Sequence, residues 1–219
     1  MVRTDSLAIL SSILVTLSAL TACSRSDAPP PSLWIWQFVE MPGEDGEWFE
    51  ELESVISLLD EGGTVSLSTR PEFCKALARS GDTSANSAHL EYSTLVGERF
   101  YDRYEYRGRR IKTSSLITVA KAADGLSREL INTGELESVD SIADSLLLLG
   151  YQMSRNGENA AIASIRLNVW FRALDCILAT KRGNDPSIRA RIEVAKELIR
   201  VEWVQLRARN SDRLYHPFR

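Results

Sequence analysis

Four apolar stripes at helical spacing, separated only by short breaks, fill the second half of this 219-residue chain and commit it to helix-on-helix packing. Leu116, Val119, Ala120, Ala123, Leu126 and Leu130 form the first, stopped by Asn132-Thr133-Gly134. Val139, Ile142, Ala143, Leu146, Leu147, Gly150 and Met153 form the second, ended by Asn156-Gly157. Ile162, Ile165, Val169, Trp170, Ala173, Leu174 and Ile177 form the third, ended by Gly183. Asp185-Pro186, an N-cap residue followed by a first-turn proline, opens the fourth, in which Ile188, Ile192, Ala195, Ile199, Trp203 and Leu206 run to about Arg209. Connections this short make consecutive helices antiparallel neighbours. The expected fold is all-α: an antiparallel helical bundle or a short stack of helical hairpins over residues 108–210, with 211–219 as a C-terminal tail.

The preceding part is less regular. Trp48, Leu52, Val55, Ile56 and Leu59 mark a short helix ending at Gly62-Gly63. Pro71 opens another, PEFCKALARSG, with Gly81 behind its end. Residues 33–107 therefore read as an N-terminal helical part with irregular segments. Near its start, Leu33-Trp34-Ile35-Trp36-Gln37-Phe38-Val39 alternates like a short extended segment, suited to packing on the bundle or to a membrane interface.

The segment from Glu98 to Lys112, ERFYDRYEYRGRRIK, interleaves aromatic residues with arginines. On a helix, Phe100, Tyr104 and Arg107 would share one face, with Arg99, Arg103, Tyr106 and Arg110 on the next. Arg–Tyr stacking in an element that joins the N-terminal part to the bundle is its ordinary role. The functional alternative is a partner surface of Arg103, Tyr104, Tyr106 and Arg107, because Tyr and Arg concentrate in binding hot spots.

At the N-terminus, Leu7 to Leu20 is apolar apart from Ser and Thr, and too short to span a bilayer. Ser24-Arg25-Ser26-Asp27-Ala28-Pro29-Pro30-Pro31 follows, where three prolines forbid a helix and favour an extended stand-off. Between them stands Leu20-Thr21-Ala22-Cys23, which resembles the lipobox of bacterial lipoprotein precursors. That resemblance implies a signal peptide over 1–22, lipid attachment at Cys23, and a lipidated tether over 23–32. It also implies a domain anchored to a membrane of the cell envelope. Ser24 stands where inner-membrane retention often uses Asp, which favours an outer membrane, facing the periplasm, if the source has two membranes. Gly134 to Tyr151 is faintly similar to tetratricopeptide-type hairpins, where a Leu-Gly-x-x-Tyr cluster packs one helix on the next. It lacks their 34-residue period, leading tryptophan and closing proline.

With Cys23 assigned to lipid, Cys74 and Cys176 remain as an even pair, expected either to bridge in an oxidising compartment or to lie as separate buried thiols. A bridge would close a loop of about 100 residues, worth at most ~4–5 kcal/mol.

The net charge of −4 argues against a nucleic-acid partner. Charge is uneven, however. Glu40 to Glu61 holds nine acids and no base, whereas Lys181 to Arg219 holds ten bases and five acids. These could be two complementary solvated faces, or the basic one could lie against anionic headgroups. His89 and His216 are the two histidines, and neither has metal-ligand spacing, so no metal or other cofactor is expected. No catalytic residue is marked, because no nucleophile motif or phosphate loop is present.

The expected role is a lipid-anchored envelope protein, an interaction or scaffold module with a protein partner. The alternative is an envelope enzyme using carboxylate acid/base chemistry on glycan or peptide. A pocket holding two or more facing Glu or Asp side chains would favour the enzyme, and a pocketless bundle with an exposed apolar groove the interaction module.

Overall fold

The computed structural model describes residues 33–40, 43, 46–83, 89–91, 103–155 and 160–209. The expected signal peptide, Cys23, the proline tether and the C-terminal tail lie outside them. Among the described residues six α-helices dominate: α1 (Trp48–Ser57), α2 (Arg70–Asp82), α3 (Thr113–Thr133), α4 (Leu136–Arg155), α5 (Ala160–Leu178) and α6 (Pro186–Arg209). The fold is all-α, with one small antiparallel sheet of β1 (His89–Glu91), β2 (Arg103–Tyr106) and β3 (Arg109–Lys112). Among the described residues no helix is long and apolar enough to cross a membrane.

The helix ends follow local chemistry. Asp185 caps α6 by accepting the Ser187 amide at 2.7 Å, which leaves Pro186 in the first turn. Gly134 closes α3 in the left-handed region at φ 81°, its amide reaching back to Ile131 and Leu130. α1 stops at Ser57, before Gly62-Gly63. Those glycines belong to a separate turn, in which Asp60 accepts the Thr64 amide at 2.8 Å and its hydroxyl at 2.5 Å.

α4 is the centre. It packs on α5, α2 and α3, while α6 covers α5 and α1 leans on α2. Its buried face includes Val139, Ile142, Ala143, Leu146, Leu147, Leu149 and Met153, too wide an apolar surface for a helix with one neighbour. Gln37–Arg219 is a single compact unit. α2, from the N-terminal part, packs directly on α4 within that unit.

Two helical glycines let α4 lie close against its neighbours. A Cβ on Gly150 would collide with the Trp170 indole of α5, whose Nε1 donates to the Leu147 carbonyl at 2.9 Å. A Cβ on Gly81 would lie 2.8 Å from the Leu148 Cβ. Gly81 is thus a buried contact inside α2, where the sequence suggested a stop behind its end.

Two further expectations are corrected. Leu33–Gln37 forms a 3-10 turn and not an extended segment. Such a turn satisfies backbone groups locally, and among the described residues no strand pairs with it. The helical reading of Glu98–Lys112 also fails over 103–112, which is a hairpin. Arg107 and Gly108 both take positive φ, 50° and 78°, the signature of a two-residue primed turn. Phe100 and Arg99 lie outside the described residues.

Gly150→Ala should force α4 and α5 apart and cost about 1–3 kcal/mol, the usual penalty for overpacking. Chemical denaturation would measure it, and an unchanged midpoint would contradict the packing described.

Candidate functional site

The four residues expected to form a partner surface have different fates. Tyr104 is completely buried, packed edge-on against Trp48 with ring centroids 5.0 Å apart, and its hydroxyl donates to the Met153 carbonyl at 3.1 Å. It belongs to the core and cannot meet a partner. Tyr106, two residues along the same strand face, leans on Phe49 at 5.8 Å and donates to Glu47 at 2.6 Å. That bond holds the Tyr106 hydroxyl above its ordinary pKa. Arg107 lies over the Tyr106 ring and pairs with Glu47 at 3.1 Å. Arg103 is half-buried on β2, opposite Lys112.

The hairpin is thus the partner of α1. Arg109 reaches Glu50 at 2.8 Å and Glu53 at 2.7 Å while covering the Phe49 ring. Glu51 takes Arg79 from α2. The acidic stretch therefore finds cations in the hairpin and α2, and these pairs do not involve the basic C-terminal segment offered by the sequence as its complement. Arginines and aromatic residues on one face of a short strand pair suit an acidic helix with two aromatic residues at its start.

A second constellation was not singled out by sequence. A cleft of about 460 Å³ is lined by Phe38, Val39, Glu40, Asp82, Asp144 and Leu148, among others. Asp144 projects from α4, and burial pushes its carboxyl above the ordinary value. Arg182 opposes that shift from 2.7 Å, and Asp140 adds to it. Arg182 also donates to the Phe38 carbonyl at 2.8 Å, fixing the strap that edges the cleft. Asp82 ends α2 and accepts the Gly43 amide at 3.3 Å. Part of the signal for this cluster was present: Asp140 and Asp144 lie four residues apart, a carboxylate pair along a mostly apolar helix, with Leu148 one turn further on.

Cys74 and Cys176 are both free thiols, so the expected bridge is not formed. They sit on α2 and α5, two helices that each pack on α4. Cys176 lies against Ser127 of α3, whereas the charge that bears on Cys74 is Arg70 of its own helix. Burial pushes Cys176 up to about 11, the Ser127 contact opposing it, and burial also raises Cys74. Among the described residues no group of His, Cys, Asp and Glu is arranged to hold a metal ion.

Comparison with protein-family models, curated proteins and solved structures returned no match.

Both thiols should therefore label without reduction, Cys74 faster than buried Cys176 in the folded protein. Because the folded Cys176 pKa lies above its ordinary 9.0, its protonated form favours the folded state. That contribution is complete below about pH 9 and lost as pH rises through about 11, by up to ~2–3 kcal/mol. Alkaline denaturation that is identical in wild type and Cys176→Ala, after correction for the cavity at neutral pH, would contradict this.

Proposed function

We propose that this chain is a lipid-anchored helical protein of the cell envelope whose task is to bind another protein. The observation that carries the binding role is an apolar stripe on the outer face of α6. Val194, Leu198, Val201 and Val204 are 50, 42, 46 and 65 % exposed, and they are four of the five large apolar side chains exposed among the described residues. An aligned apolar stripe on a surface helix is a contact surface, whereas scattered exposed apolar residues need no explanation. The anchoring role rests on Leu20-Thr21-Ala22-Cys23 and the proline stand-off behind it.

A second reading has the cleft behind it. Asp144 with its raised carboxyl, Asp82 and Glu40 line one open space, as acid/base chemistry on glycan or peptide would require. The binding role is preferred because Asp144 already pairs with Arg182 and Asp82 already holds the Gly43 amide.

Cys23→Ala should leave the protein unacylated and move it from the membrane fraction to the soluble fraction or to uncleaved precursor. Unchanged mass and unchanged fractionation would remove the anchor. The two roles separate on Asp144→Asn, which keeps the shape and the hydrogen bond to Arg182. It should leave binding and phenotype intact, while a loss-of-function phenotype in a fully folded variant would favour the enzyme.

A further inference from the structure

α6 buries one face and exposes another that is also apolar. Ile192, Ala195, Ile199 and Trp203 are buried. The opposite face carries a heptad pattern: Ser187, Val194, Val201 and Ala208 at one core position, Ala190, Glu197 and Val204 at the other. Glu193, Arg200 and Arg207 form the row flanking the first position, and Leu198 lies in the row on the other side. All of these side chains are exposed over a helix of 24 residues, about 36 Å long.

We propose that this face pairs with the same face of a second copy of the chain, the two α6 helices running antiparallel about a two-fold axis. The inference rests on the binding role assigned to this stripe and names its partner. Charge decides the occupant and the direction. In antiparallel pairing the two core positions meet each other and each flanking row meets itself. Val194 of one copy then lies against Val204 of the other, and Ala190 against Ala208. Leu198 meets Leu198 beside the axis. In the charged row Glu193 meets Arg207, and symmetry makes that pair twice. Neither residue makes an ion pair among the described residues, whereas Arg200 already holds Glu197 at 3.2 Å. Near the axis Arg200 meets Arg200 of the other copy, each offset by its own Glu197, which faces Val201 across the pair.

An anionic lipid surface fits less well. Glu197 lies inside the apolar stripe and Glu193 on its edge, where headgroups would repel both, yet self-pairing uses both. Parallel pairing would place Glu193 beside Leu198, and Ser187 beside Ser187.

The test is oxidative cross-linking of the full-length protein in intact cells, with wild type as the thiol background. Leu198→Cys should give a covalent dimer, and Ser187→Cys should not. Glu193→Arg and Arg207→Glu, each placed in the Leu198→Cys chain, should lower the dimer yield about fivefold, and the double exchange should restore it. Val201→Asp should abolish the dimer while leaving the helical circular dichroism of the purified chain unchanged. Dimers from Ser187→Cys would overturn the antiparallel arrangement. Three outcomes would overturn the second copy as occupant. In the first, Leu198→Cys stays monomeric while Val201→Asp still abolishes cross-linking to other proteins, which leaves the binding role standing. In the second, Val201→Asp changes nothing, and the binding role falls too. In the third, Glu193→Arg strengthens retention on anionic vesicles with no dimer formed, which marks a lipid surface.

Discussion

About two turns of α4, from Leu147 to Met153, tie together the elements around them. Gly150 lets the Trp170 indole lie against the α4 backbone, and the indole donates to Leu147 where a larger residue would hold it away. Trp170 in turn carries the Arg166 guanidinium over its ring at 4.3 Å, and Arg166, almost wholly buried, pairs with Glu202 of α6 at 2.6 Å. Two residues past Gly150, the Gln152 amide donates to the Gly81 and Thr83 carbonyls at the end of α2. The next carbonyl, that of Met153, accepts the Tyr104 hydroxyl from the hairpin. Four elements therefore depend on one short stretch. A buried guanidinium such as Arg166 is tolerated only while both the ring and the carboxylate stay in place, so displacement at Gly150 would be felt as far as α6.

Electrostatics have a different role at the other end. The ion pairs between hairpin and α1 are mostly half-exposed, and pairs of that kind contribute about 1 kcal/mol or less each. Burial of Trp48, Phe49 and Tyr104 supplies more, at roughly 1.5–3 kcal/mol per large side chain. The aromatic residues thus hold the hairpin on the helix, and the arginines set its register. This division explains how nine acids within 22 residues are tolerated: much of their charge is met by Arg79, Arg107 and Arg109.

The helices of the second half were legible because their apolar spacing is a direct consequence of burial. α3, α4, α5 and α6 span the stripes, and the caps at Gly134 and Asp185 act as their chemistry requires. The sheet was not legible. Its decisive residue pair is Arg107-Gly108, and arginine is a poor marker of positive φ, so only Gly108 signalled the turn. Tyr104 was misplaced for a related reason: a tyrosine among arginines has surface composition, and only the fold shows that its hydroxyl finds a core carbonyl. The cleft escaped because Asp82, Asp144 and Phe38 are far apart in sequence and meet only once α2 lies on α4 and Arg182 fixes the strap.

α6 shows what this architecture leaves unfinished. A helix on the outside of a bundle ordinarily carries an apolar stripe on one side and charge on the other. Here Lys196 and Glu202, two of its charged residues, lie on or beside the inner side, held to Asp175 and Arg166 of α5. Valines and a leucine occupy the outer side. The inward charges orient α6 on α5, Lys196 also lying over the Phe171 ring at 5.0 Å, and that orientation fixes which residues face out. The exposed stripe is therefore no accident of a loosely attached helix. Its direction is set by the same chain of contacts that begins at Gly150 and runs through Trp170 and Arg166 to Glu202, so the core beneath α6 decides which of its residues meet solvent.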